Sequence, residues 1–228
     1  MASTYTDLGI ELMATGENAG TWGTKTNANL NLIEQLTGGF ATVSIAGGAG
    51  TTALDIDDGA LTGTAQQRVI EFTGSITGNR IVTIPNDVET FYILKNSTSG
   101  AYTVQFKYAT GSGSSTTFST TDKGTKIVYA SANDGTNPDI VDVMANSSEI
   151  AVTNSNPIKF NDADNSAFVG LDAPATVSGS YTLTLPAAVG SASQALVTTD
   201  GSGTLGFTST SSFGISTGKA IAMAIVFG

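Results

Sequence analysis

The sequence predicts an all-β protein, and three observations carry that expectation. Only 12% of the 228 residues are charged, about half the usual share. Thr, Ser, Asn and Gly supply the polarity instead; Thr favours strands and the other three favour turns. Short alternating apolar runs recur between turn signals, and hydrophobic residues reach 40%, enough for a real core. The expected architecture is a β-sandwich or jelly-roll-like domain with a smaller β domain behind it and one short N-terminal helix.

Taken in order, residues 1–14 show a weak alternation at Ile10, Leu12 and Ala14. Next comes Trp22, the only tryptophan, set between Gly20 and Gly23. A lone aromatic among turn residues is either a buried anchor or an exposed docking knob. A helix is expected over 26–36. Thr26 or Asn27 can cap it, Leu30, Ile33 and Leu36 form one apolar stripe at spacings of three, and Gly38-Gly39 stops it. The stripe lies either on the protein's own sheet or where three copies meet.

Residues 40–65 are small and glycine-rich, with Val43/Ile45 and Leu54/Ile56 as alternating pairs. Strands are expected at 68–72, 80–84, 91–94, 102–108, 126–129 and 139–143. Gly78-Asn79, Pro85-Asn86, Ser99-Gly100 and Asn133-Asp134-Gly135 separate them. That spacing defines the sandwich domain over 60–146. The polar stretch 146–157 marks a boundary. Shorter strands are expected beyond it at 157–160, 167–170, 181–185, 195–197 and 204–207. So few large apolar side chains bury little on their own, so this part is expected to share a core between copies. The expected domains are therefore 1–59, 60–146 and 147–228.

Residues 76–85 echo residues 177–186 at an offset of 101: a glycine turn, an alternating strand, and a proline that stops it. The echo is either an internal repeat or two ordinary answers to one turn–strand–stop problem.

Chemistry finds few residues to work with. The chain has no His and no Cys, which excludes catalytic triads, disulfides and Cys/His metal sites. Paired carboxylates for glycan cleavage remain formally possible, but the long groove such enzymes use has no counterpart expected here. Asp55, Asp57 and Asp58, and separately Asp162, Asp164 and Asn165, lack the EF-hand pattern and read as solvated turn acids. Gly111-Ser112-Gly113 and Gly201-Ser202-Gly203 are not followed by Gly-Lys-Ser/Thr, so neither is a P-loop. A net charge of −10 disfavours nucleic-acid binding. No signal peptide and no membrane insertion are expected from the Met-Ala-Ser-Thr start and the short apolar runs. The expected protein is non-enzymatic, without a cofactor or a metal.

Four regions resemble known proteins. The segment around Trp22, running from Tyr5 to Gly39, resembles the N-terminal segment of bacteriophage tail-fibre and related virion proteins, especially marine ones. Residues 181–207, from "YTLTLP" to "LVTTDGSGTL" and closing on Phe207, resemble pieces common in phage tail fibres. Residues 74–135 resemble a β-sandwich module on similar proteins, and 218–228 resemble the ending of marine phage structural proteins. The resemblance implies a virion protein, assembled in the host cytoplasm, that forms intertwined or side-by-side trimers. It makes the last domain fibre-like. It implies virion docking through Trp22, Leu30, Ile33 and Leu36, and an oligomer interface through Leu183, Leu185, Ile221, Ile225 and Phe227. The implied partners are further copies of the chain, other virion proteins, and a host-surface glycan or protein. A capsid decoration or head-fibre protein, and a bacterial surface adhesin or self-assembling fibre, are the alternative readings.

Overall fold

The computed structural model describes residues 2–147, 152 and 156–213. The chain divides into two units, Met1–Ile150 and Ala151–Gly228. Among the described residues the regular structure is mostly strand, with one α-helix, as expected for the all-β class. The first unit opens with β1 (Thr4–Tyr5), β2 (Glu11–Leu12) and α1 (Trp22–Gly38). Then follow β3 (Phe40–Ser44), β4 (Gly50–Ala53), β5 (Val69–Ser75), β6 (Arg80–Ile84), β7 (Thr90–Ser99) and β8 (Val104–Tyr108). It ends with β9 (Thr116–Phe118), β10 (Thr125–Ala130) and β11 (Ile140–Asp142). The second unit holds β12 (Ile158–Asn161), β13 (Phe168–Leu171), β14 (Gln194–Thr198), β15 (Leu205–Ser209) and a 3-10 helix at Thr210–Phe213.

Two sheets share the core of the first unit. One has the order β11-β10-β7-β5-β3 and the other β4-β6-β8-β9. From β3 to β8 successive strands alternate between the sheets, so the chain winds as a coil. Phe40 pairs with Val69 and Val69 with Ile93, in parallel. On the opposite sheet Gly50 pairs with Arg80 and Arg80 with Val104, also in parallel. Three turns are stacked this way, and β9, β10 and β11 close the stack with antiparallel pairs.

The winding follows from alternation that turns one side of each strand into a shared core. Ile70 and Phe72 on β5, Tyr92 and Leu94 on β7, Val82 and Ile84 on β6, and Val104 and Phe106 on β8 all point inward and are buried. Two buried tyrosines keep partners: Tyr92 Oη donates to the Ala65 carbonyl at 2.7 Å and Tyr108 Oη to the Val88 carbonyl at 2.8 Å. Burial pushes the Tyr108 phenol up to about 12.

The corners between the sheets stack as well. The Gly47 amide donates to Ser75 O, the Ile76 amide to Ser99 O, and the Thr77 amide to Gly47 O, at 2.8–3.0 Å. Gly47 and Gly100 hold φ of 115° and 100° at the first and third corners, angles that L side chains rarely adopt.

Three expectations need correction. β3 and β4 pair with β5 and β6, so the structure places no domain boundary at 59–60. Alternation marks the buried side of a strand but not its neighbour, which is why the first turn of the coil read as a separate segment. The helix starts at Trp22, not 26, and Thr21 at its N-terminus makes no side-chain capping bond. A turn at Asn18 sets the start: its carbonyl accepts the Thr21 and Trp22 amides at 2.9 and 2.8 Å. Residues 181–185 form no strand; only Thr184 pairs, in a parallel bridge with Thr204.

Candidate interaction surfaces

The N-terminal segment is held by one acid. The Glu11 side chain is almost fully buried. Asn18 Nδ2 donates to its Oε1 at 3.0 Å, and Lys25 Nζ pairs with its Oε2 at 3.0 Å. Asn29 on the helix then treats β2 as a strand neighbour would. Its Oδ1 accepts the Glu11 amide at 3.0 Å and its Nδ2 donates to the Glu11 carbonyl at 2.9 Å. Lys25, Asn29, Leu32 and Leu36 recur every three or four residues, so they share one face of α1. Leu32 and Leu36 are buried on it. Reasoning from sequence missed Glu11 and Asn29. The available signal was a Glu between Ile10 and Leu12 in a chain with few charges.

The adjoining helix face carries Trp22, Thr26, Leu30, Ile33 and Thr37. Trp22 is 66% exposed, Leu30 58% and Ile33 45%. The buried-anchor reading of Trp22 is therefore corrected. Leu36 is turned inward, so the outward set from the expected stripe is Leu30 and Ile33, with Trp22 beside them.

The Asn18 hydrogen bond first, and Lys25 second, hold the Glu11 carboxyl below its ordinary value of 4.5. An acid depressed in the folded state contributes stability above its unfolded value and loses it as pH falls through the folded one. Acidification below about pH 4.5 is therefore expected to loosen this segment. Trp22 fluorescence reports it, since the chain has no other tryptophan. The Glu11→Gln variant should lack that acid step. An unchanged pH profile in the variant would remove Glu11 from the explanation.

The second unit offers a different surface. β12 pairs with β13 and β14 with β15 as separate antiparallel hairpins. None of its described side chains is buried. Leu183 is 52% and Leu185 74% exposed. Ile158, Leu171, Val177, Tyr181 and Leu183 line an open groove of about 550 Å³ within this unit. Ile221, Ile225 and Phe227 lie outside the described residues.

The acid runs close turns. Asp55 Oδ1 accepts the Thr64 amide and hydroxyl at 2.9 and 2.6 Å, and Asp164 Oδ1 accepts the Ser166 amide at 3.0 Å. Among the described residues no cluster of acids is arranged to hold a metal ion. In the first unit Asp7, Asn86, Asp87 and Glu89 line an open cleft of about 430 Å³ together with Ala132 and Gly135. Among the described residues no helix is long and apolar enough to cross a membrane. No protein-family model, no curated protein and no solved structure matches this chain.

Proposed function

We propose that this chain is a non-enzymatic structural protein of a phage virion: a short trimeric tail fibre, or a fibre-like appendage. The observation that carries the reading is the second unit. It exposes Ile158, Phe160, Leu171, Leu183 and Leu185 by about half or more and buries none of its described side chains. Large apolar side chains left in water forgo roughly 1.5–3 kcal/mol each. Hairpins of two strands are marginal in isolation. Packing against other copies supplies the missing core, with Leu183 and Leu185 at the contact.

Trp22, Leu30 and Ile33 suit attachment to another virion protein, because Glu11 and Asn29 order the segment that presents them. The first unit reads as a sandwich wound as a short coil. Its loops and the cleft beside Asp87 and Glu89 face outward toward a host glycan or protein. The first unit also completes its own core within one chain. That observation favours a capsid decoration or head-fibre protein as the second reading.

Light scattering on the full chain tests both. The trimer reading expects about 69 kDa, three times the 23.1 kDa of one chain. A double change of Leu183→Asp and Leu185→Asp is expected to lower that mass while leaving the first unit folded. A folded monomer at 23.1 kDa would overturn the trimer and leave the decoration reading.

A further inference from the structure

The two sheets of the first unit present different outer faces. On the four-stranded sheet the outward row Thr51, Ile81, Gln105 and Thr117 is polar except for Ile81, and Lys107 stands nearby. On the five-stranded sheet an apolar row crosses β3, β5, β7 and β10. Phe40 pairs with Val69, Val69 with Ile93, and Ile93 with Ile127. The Val143 amide donates to the Ile127 carbonyl at 3.0 Å and extends the row past β11. A second row, Phe91, Tyr129 and Val141, lies beside it. The Phe91 and Tyr129 rings are 4.8 Å apart. Phe40 is 57% exposed and Phe91 50%. A continuous apolar patch of this kind is often functional.

We infer that this face is a second self-association surface, covered in the assembled protein by another copy of the chain. The inference rests on the homotrimer reading above and extends it from the second unit to the first.

Charge selects the occupant. Copies with a net charge of −10 repel each other, so they must meet where no charge is left over. On this face Glu71 pairs with Lys95 at 2.8 Å. At its rim Tyr129 Oη donates to Glu89, and Arg68 donates to the Phe91 carbonyl. Glu71 is thus neutralised by Lys95, and the charges of Arg68 and Glu89 at the rim cancel in sum, so these four groups carry no net charge. A basic partner would find nothing to pair with here, whereas an identical neutral face meets no repulsion.

The face is also continuous in sequence with the exposed helix stripe, since α1 runs through Gly38-Gly39 into Phe40. Along that stripe Thr26, Leu30, Ile33 and Thr37 follow 4-3-4 spacing, with Leu30 at a and Ile33 at d of a heptad. Five strands at about 4.8 Å spacing and four outward rows give roughly 400 Å² in projection, about half of what each partner buries in a standard interface. The helix stripe adds to it.

Single cysteines test this cleanly, because the chain has none of its own. Ile127→Cys probes the five-stranded face and Thr117→Cys the other. A maleimide is expected to label the Ile127→Cys thiol at least tenfold more slowly than the Thr117→Cys thiol. A short bismaleimide should join copies through Ile127→Cys only. The double variant Ile93→Lys with Ile127→Lys is expected to lose the wild-type oligomer mass while keeping its circular dichroism.

An oligomer whose Ile127→Cys thiol labels as fast as Thr117→Cys would overturn this inference and leave the trimer reading standing. A monomer with fast labelling overturns both. A monomer with a protected thiol would mean that the chain covers its own face, and protection seen only in whole virions would assign the face to a different protein. Either outcome overturns self-association.

Discussion

Replacing Phe106 with alanine is expected to cost about 3–5 kcal/mol, the range for emptying a large aromatic site in a packed core. The ring is fully buried and lies between the sheets. From β8 it reaches Tyr92 edge-on at 5.6 Å and Phe72 at 6.3 Å, both on the opposite sheet. Its removal therefore leaves a void where the two layers meet, and two aromatic contacts worth roughly 0.5–1.5 kcal/mol apiece go with it. Against a typical total of about 5–15 kcal/mol, that is a large share. Chemical denaturation followed by circular dichroism measures it. Leu61→Ala, at a side chain 42% exposed, serves as the comparison and is expected to change stability by only about 0.5 kcal/mol. Similar losses in the two variants would mean that Phe106 does not bridge the sheets.

The second large effect belongs to a corner of the coil. At Gly100 a β-carbon would sit 2.2 Å from the Ile76 carbonyl oxygen, with φ at 100°. Gly100→Ala is expected to cost about 3 kcal/mol or more, because backbone strain of roughly 1–3 kcal/mol is joined by a collision with another turn's main chain. Gly47 separates the two causes. Its φ is 115°, yet an added β-carbon there meets nothing within 4 Å. Gly47→Ala should therefore lose only the strain. Equal losses at the two positions would show that the stacked corners can move apart at little cost.

These two sites show what a one-dimensional reading reveals. Alternation marked the strand at 80–84 and the turn before it, and β6 is found there with Val82 and Ile84 buried. It did not reveal that β6 lies between β4 and β8, because a period of two shows which side is buried and not which strand is adjacent. The same limit explains the echo at 181–185. Its pattern matches that of β6, yet apart from the bridge at Thr184 it pairs with no strand among the described residues and stays exposed. Leu30, Ile33 and Leu36 were legible as one stripe. Their division into outward and inward members was not, since Asn29 and Lys25 fix the helix by polar bonds to Glu11 that apolar periodicity does not register. The apolar row on the five-stranded sheet was equally hidden, because its members come from five separate segments.

The winding also implies an order of assembly. Parallel neighbours in the coil are 24–30 residues apart in sequence, whereas Phe106 and Thr116, or Ala130 and Ile140, meet across only 10. Short loops close at lower entropic cost, and local contacts form sooner. Folding is therefore expected to begin at β8–β11 and to add turns backward, against the direction of synthesis. β3 joins last, on the rung with one neighbour only, and it is the first to fray. The helix that carries Trp22 is joined to that rung, so the end of the molecule proposed to attach to a partner is also the end whose hold on the fold is weakest.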